Sequence, residues 1–375
     1  MKWMHLADLH IGKSHEAADL EPDQRAVLNE ILAVAHREKP DGVLIAGDVY
    51  DRPSPAERFV NILNDFLVEL CALCPVYMIS GNHDSGGRLA FAADLLARQK
   101  LYIAGTYNGR IRPIRQGDTD LYLMPYLHPT EVRRVLKDDS ISTMDDAARA
   151  VVATCEPGTG RHRILLAHLF ATADDQKPDT CESEQQYIGG IDNVDVSAFD
   201  GFDYVALGHI HGPQKVGRDT VRYAGTPMMY SFSEQHHHKS VCMIDLDASE
   251  PIRLIPLTAG RRMRSIRGTL TELLDPAHDP LDHHDIVLAE LTDPDPQMNA
   301  QARLAAIYDT VLVKYIGLKG ASEGTYDPKL NSLDDPLALF EAFFRERNGG
   351  TGMTEAQRAT VQDLLEKSKE ADACN

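Results

Sequence analysis

The residues able to do chemistry fall in five short stretches: ADLH (7–10), GDVYD (47–51), GNHD (81–84), AHLF (167–170) and GHIH (208–211). Each follows an apolar run of strand character and sets oxygen or imidazole donors just past its end: Asp8, His10, Asp48, Asn82, His83, His168, His209 and His211. A buried strand closing on a turn accounts for Gly47, but a turn does not require Asp48 or Asp51. One strand-end aspartate is an ordinary turn former; donors at five strand ends in register have no packing rationale. Carboxylate, amide oxygen and imidazole without cysteine suit hard or borderline divalent metals such as Mn, Fe, Mg or Zn. Two such ions about 3.5–4 Å apart hold the attacking and leaving oxygens of a phosphoryl displacement. They need one short carboxylate that reaches both, and Asp48 is the candidate. Period-two spacing in Asp8-x-His10 and His209-x-His211 turns each pair to one side of an extended chain, so that both pairs can face one site.

The elements that must position these donors alternate along the chain. KWMHLA, GVLIAG, VYMIS, LYLMP, RILLAH, YVALG, VRYAG and SVCMIDL read as strands. PDQRAVLNEILAVAHREK reads as a helix, with Val27, Leu28, Ile31, Leu32 and Ala35 at helical spacing. SPAERFVNILNDFLVELCAL reads as a second helix, with Ser54 as N-cap, Pro55 at the first helical position and Glu57 at the capping-box position. Strand, helix, strand, helix, strand is the order of an α/β domain. The later strands follow one another with few helices between them, which predicts a sandwich of two sheets flanked by helices rather than a single open sheet. In α/β sheets binding groups gather beyond the carboxyl ends of the strands, and the five motifs stand there.

Composition sets the outer bounds. With 375 residues, 43% apolar and 25% charged, the chain is an ordinary globular sequence and not a disordered one. No apolar run approaches the roughly 20 residues of a membrane span, and the start MKWMHLADLHIG has no signal-peptide pattern. The scattered cysteines, Cys71, Cys74, Cys155, Cys181, Cys242 and Cys374, read as structural thiols in a reducing compartment, so a cytoplasmic location is expected. The net charge of −19 argues against casual affinity for nucleic acid. GRIRPIR (109–115) and GRRMRSIR (260–267) are local basic exceptions, each accounted for by a solvated strand or linker face. A polyanionic substrate must then be held by metal, by local patches or by a partner.

The donor motifs end well before residue 258. RSIRGTLTELL, DIVLAELTD and QARLAAIYDTVLVKYI read as a small unit of two or three strands with a helix, interrupted by the loop DPAHDPLDHHD. A polar hinge follows, then two helical segments. One carries Leu337, Phe340, Phe343 and Phe344; the other is capped by Thr354 and Gln357 and carries Val361, Leu364 and Leu365.

The ordered set D-x-H, G-D-x-x-D, G-N-H-D, a lone H and G-H-x-H resembles the calcineurin-like metallophosphoesterases. MHLADLHIGK, GDVYDRPSP, GNHDS, AHLF, ALGHIHGPQ, YAGTPMMYSFSE and the tail FEAFFRERNGGTGMTEAQRATVQDLLE are similar to the nuclease subunits of bacterial DNA repair exonucleases. The likeness covers nearly the whole chain. It implies a two-sheet metallophosphoesterase sandwich over residues 1–258, a small α+β capping domain over 259–320 that helps to place DNA, a hinge at 321–335, and C-terminal helices at 336–375. The helices would grip an SbcC-type ATPase of the ABC/SMC-like class.

The resemblance further implies two metal ions, Mn²⁺ by family likeness. Asp8, His10 and His211 would hold the first and Asn82, His168 and His209 the second, with Asp48 bridging. His83 would not ligate; it would protonate the leaving group or stabilise the transition-state charge. Asp51 stands where related protein phosphatases orient that histidine. The implied activity is ATP-dependent 3′→5′ exonuclease action on double-stranded DNA and endonuclease action on single strands and hairpins, by a homodimer within a heterotetramer. The alternative is a stand-alone phosphatase or phosphodiesterase, which needs no hinged tail.

Two departures stand out: glycines in SGGRL (85–89), and Gly212 where a basic residue is usual. His236, His237 and His238 read as a solvated loop, and His128, His162, His278, His283 and His284 as structural residues.

Overall fold

The computed structural model describes residues 1–16, 18–173, 178–181, 184, 193–275, 277–316 and separate positions between 337 and 362. The hinge at 321–335, and with it Phe343, Leu364 and Leu365, lies outside the described residues. The chain divides into two compact units, residues 1–264 and 265–375.

In the first unit the strands are β1 (Lys2–Leu6), β2 (Gly42–Ala46), β3 (Val76–Ile79), β4 (Leu101–Ala104), β5 (Ile114–Gln116), β6 (Thr119–Leu123) and β7 (His162–His168). After these come β8 (Phe170–Thr172), β9 (Asn193–Asp195), β10 (Tyr204–Gly208), β11 (Gln214–Val216), β12 (Arg218–Tyr223), β13 (Ser240–Asp245) and β14 (Ile252–Pro256). Two six-stranded sheets result, in the orders β14-β13-β1-β2-β3-β4 and β11-β12-β10-β7-β6-β5. Within them β1, β2, β3 and β4 run parallel, as do β6, β7, β10 and β12, while β13 and β14 at one edge of the first sheet and β11 and β5 at the two edges of the second pair antiparallel. The central strands are apolar throughout because both of their faces are covered; all five residues of GVLIA are buried. Trp3, Leu44, Tyr77 and Ile79 of one sheet and Leu121, Leu123, Ile164, Leu166, Tyr204 and Ala206 of the other share one core, so the fold is the expected two-sheet α/β sandwich.

Helix α1 (Glu21–Glu38) buries Val27, Leu28, Ile31 and Val34, and helix α2 (Glu57–Leu73) buries Ile62, Leu63, Phe66 and Leu70. The start of α2 differs from the sequence reading. The helix begins at Glu57 with Ala56 as N-cap and no side-chain cap, so Ser54 and Pro55 lie outside it. Arg88 explains the difference: its guanidinium donates to Ser54 Oγ and to the carbonyl of Pro53, 3.1 Å away, so the hydroxyl is engaged across the chain rather than at the helix.

The second unit has a three-stranded sheet, β15 (Met263–Gly268), β16 (Ile286–Leu291) and β17 (Thr310–Tyr315), with β16 in the middle and parallel to β17. Short helices at Leu270–Leu273 and Ala300–Leu304 pack Leu270, Leu273 and Leu304 on Val287, Ala289 and Leu291. Thr269 closes a capping box with Glu272. Farther on, Thr354 and Gln357 exchange the reciprocal backbone bonds of the box expected there, at 2.9 and 3.3 Å.

Candidate metal centre

The loops that leave the parallel strands β1, β2, β3, β7 and β10 all open at one edge of the sandwich. Their geometry is unusual at the donors themselves. Asp8, His10, Asp48 and His209 have φ of 52°, 43°, 47° and 105°, in the left-handed region that side chains other than glycine seldom adopt. Each such residue costs on the order of 1–3 kcal/mol and persists only when its surroundings impose it. The surroundings here are hydrogen bonds between motifs. Asp8 N donates to Gly47 O at 3.0 Å, His10 N to Asp48 O at 2.9 Å and Ile11 N to Val49 O at 3.0 Å. Glycine is required where these turns approach closely. A Cβ on Gly47, itself at φ 86°, would lie 2.4 Å from His168 Nδ1, and one on Gly81 would lie 2.1 Å from Asp48 Oδ1.

Donor atoms converge in two groups that share Asp48. In one, His10 Nε2 faces His211 Nε2 at 3.2 Å and Asp48 Oδ2 at 3.6 Å. In the other, His168 Nε2 lies 2.9 Å from Asn82 Oδ1 and 3.4 Å from Asp48 Oδ2, and His209 Nδ1 lies 3.1 Å from Asn82 Oδ1. Asp8 sits with Asp48 and His168 in a buried set spaced for metal ligation, its carboxylate accepting from His209 N at 2.9 Å. All seven expected ligands are brought to one place, with Asp8 set beside His168 and the backbone of His209, members of the other expected group. His83 lies at its more open margin, its side chain 17% exposed. The His83 ring is fixed by Nδ1 against the main-chain oxygen of Asp51 at 2.8 Å, while His83 N donates to Asp48 Oδ1 at 2.9 Å. The carboxylate of Asp51 lies 3.1 Å from Lys13 Nζ and 3.8 Å from His10 Nδ1.

Electrostatics agree with a centre built for cations. Burial pushes the Asp8 carboxyl up and the imidazoles of His10 and His209 down, His209 to about 3. Against the same burial, the Asp48 and Asp8 carboxylates hold His168 up at about 9. The imidazoles of His168 and His10 hold Asp48 well below the usual carboxylate range, again against burial. His10 Nδ1 is buried with no hydrogen-bond partner among the described residues. Two imidazole nitrogens pointing at each other across 3.2 Å, with carboxylates beside them, leave lone pairs aimed at common space. That donor set fits divalent cations.

Some contributors have no signal in the sequence beyond their neighbours. Asp84 accepts from Val49 N, Tyr50 N and Gly81 N at 3.1, 3.0 and 2.9 Å, tying the GDVYD turn to the GNHD turn. Burial and then the charge of Asp48 push its carboxyl up to about 6. Glu184 and Glu234 approach His211 from outside the donor motifs; nothing in the sequence marks Glu184, and Glu234 closes the YAGTPMMYSFSE stretch without any sign of its partner. The His236–His238 run contributes only His237, whose Nδ1 is 3.4 Å from Lys239 Nζ. His162 belongs to a surface group with Asp118 and Asp247. Arg161 and the amino terminus bridge to Asp247 at 2.8 and 3.7 Å, so that group is an ion-pair network.

The calcineurin-like phosphoesterase family model matches residues 1–213, more than half of the chain. The chain belongs to the calcineurin-like phosphoesterases and is a divalent-metal-dependent phosphoesterase. Within that family it is similar to the SbcD subunit of the SbcCD nuclease of Staphylococcus epidermidis, 26% identical over 97% of this chain and 98% of that protein. The SbcD C-terminal-domain model, described as a type 5 capsule protein repressor C-terminal domain, matches residues 259–348. A crystal structure of a dimetal phosphatase from Danio rerio is 13% identical with a TM-score of 0.37, covering 68% of this chain and 99% of that one. No helix among the described residues is long and apolar enough to cross a membrane, and the described cysteines are free thiols.

Proposed function

We propose that this chain is the nuclease subunit of an SbcC–SbcD-type complex and hydrolyses phosphodiester bonds in DNA. The observation that carries the reading is the convergence of seven donors from five strand ends on two groups that share Asp48, in a chain collinear with an SbcD nuclease. Asp8, His10 and His211 would hold one divalent ion and Asn82, His168 and His209 the other, with Asp48 common to both; Mn²⁺ is the ion we assign. Such ions supply Lewis-acid polarisation of a phosphate oxygen and make a nearby water nucleophilic at neutral pH.

The chain's own residues do the rest. The main-chain oxygen of Asp51 accepts the Nδ1–H of His83, leaving Nε2 available at the centre, 4.0 Å from Asp48 Oδ2. A histidine in that position, protonated at Nε2, gives its proton to the departing sugar oxygen or stabilises charge on the phosphate. Asp51 acts through its backbone, and its carboxylate places Lys13 beside the same margin.

The ATP-dependent 3′→5′ exonuclease on duplex DNA, the endonuclease on single strands and hairpins, the SbcC-type partner and the cytoplasmic location rest on the likeness to SbcD nucleases. A homodimer within a heterotetramer is part of the same proposal. Supporting it, Val60, Val68, Phe91 and Leu95 are exposed on α2 and the following segment, beside an apolar groove of about 810 Å³.

The test is a Mn²⁺-dependent cleavage assay on hairpin and linear duplex DNA, with and without an SbcC-type ATPase and ATP. Hydrolysis of a phosphomonoester with DNA untouched would favour a stand-alone phosphatase. A chain ending near Ser332 should still nick single-stranded DNA yet fail to bind the ATPase; unchanged binding would remove the assigned role of the C-terminal helices.

A further inference from the structure

His211 is gripped on every polar atom. Its Nε2 faces His10, its backbone N donates to Glu184 Oε1 at 2.7 Å, and its carbonyl accepts from Lys239 Nζ at 3.1 Å and Thr226 N at 3.1 Å. On the far side of the ring, Nδ1 meets Glu234 Oε1 at 3.4 Å. Glu234 is fully buried, and it is anchored. Its Oε2 takes Lys239 Nζ at 2.5 Å and Thr226 Oγ1 at 3.2 Å, while Oε1 also accepts from Tyr230 N at 3.3 Å and Ser231 Oγ at 3.2 Å.

A buried carboxylate balanced by a buried ammonium is costly to assemble, and replacing such a pair with apolar side chains is often neutral or stabilising. Packing alone therefore gives no reason for Glu234 and Lys239 at this position. A carboxylate behind a metal-facing histidine does have one: it selects the tautomer, fixes the ring and raises the basicity of the facing nitrogen.

We propose that Glu234 is a positioning residue for the metal centre: held by Lys239, it keeps His211 as the Nδ1–H tautomer and turns the Nε2 lone pair toward His10 and Asp48. The inference rests on the reading of His211 as a ligand. Lys239 has a second part, since its charge offsets that of Glu234 and its bond to the His211 carbonyl fixes the backbone from which the ring projects.

Glu234→Gln is the informative change. Glutamine has one acceptor oxygen where glutamate has two; with that oxygen on Lys239, its NH₂ faces His211 Nδ1 and favours the Nε2–H tautomer. In the full-length chain, calorimetry with Mn²⁺ should show affinity at one of two sites falling about 10–100-fold, the usual effect of losing such a partner. Adding Lys239→Met frees the glutamine oxygen to accept from Nδ1–H, so affinity should recover in part. Nitrogen NMR of the metal-free protein should show His211 protonated on Nδ1 in the wild type and on Nε2 in Glu234→Gln. A merely structural role predicts lower thermal stability for both variants with the tautomer unmoved. His211→Ala in the same titration separates the two levels. If it leaves Mn²⁺ affinity intact, the ligand reading fails and the inference with it. If it weakens binding while Glu234→Gln does not, the inference alone fails. Should Glu234→Gln not fold, an Nε2–H tautomer of His211 in the wild type overturns the inference by itself.

Discussion

The strand-end centre of the first unit and the sheet of the second are built on opposite terms. At the centre, four donors have left-handed backbone, and Asp8, His10, Asp48, His168 and His211 are polar groups buried almost completely. In the second unit β16 alternates conventionally, Val287, Ala289 and Leu291 pack on Leu273 and Leu304, and the helix at Leu270–Leu273 starts on an ordinary capping box. Burying polar groups and straining backbone both cost free energy, so they are retained where they serve chemistry. The difference predicts that changes at the centre act on metal and turnover, whereas changes in the second unit act on stability.

Asp48→Ala should have the largest effect. It removes the carboxylate shared by both donor groups and leaves two cations to repel each other, so Mn²⁺ binding should weaken at both sites and DNA cleavage should vanish; calorimetry showing one site untouched would break the shared-ligand assignment. His83→Ala comes next. Cleavage should fall by roughly 10²–10⁴-fold with both ions still bound, the range for a lost general acid. Its nearness to His10 and Asp48 in a ligand-like group makes the binding measurement decisive.

His5 tests whether burial of a titratable group away from the centre acts on stability alone. Between the sheets, with Nδ1 3.0 Å from Tyr204 Oη, its imidazole is pushed down to about 3 by burial. The folded state keeps His5 neutral while the unfolded chain protonates below its ordinary 6.5. The stability it contributes is present above pH 6.5 and is lost as pH falls toward 3, by on the order of 4–5 kcal/mol in all. His5→Phe should flatten that acid limb in urea titrations and leave Mn²⁺ affinity unchanged. A steep limb that survives the substitution would assign acid sensitivity to the centre instead.

Leu304→Ala, in the second unit, should destabilise by about 2–5 kcal/mol, the range for an aliphatic core truncation. Metal titration of the first unit should not change; a loss of Mn²⁺ affinity would mean that the division between the units is not energetic.

The five donor motifs, the alternating strands and the two long helices are legible because each rests on neighbours in sequence: apolar periodicity, capping residues, and donors just past strand ends. The capped start of α2 expected at Ser54 is absent, because Arg88, distant in sequence, engages the hydroxyl. At Asp51 the motif points to the carboxylate, and the structure offers the carbonyl to His83 instead, since a side-chain motif says nothing of where a backbone oxygen points.

By itself, then, the sequence determined the donor types, and so a divalent-cation centre, and the strands whose ends carry it, because hydrogen-bonded backbone and apolar alternation are local. The tertiary structure alone decided which donors lie around Asp48, that Asp84 ties two turns together and that Glu234 and Lys239 stand behind His211. Those relations join residues up to 201 positions apart, as His10 and His211 are. They exist only after two sheets have packed face to face, when burial removes water and each remaining lone pair must find a partner within the fold or a cation.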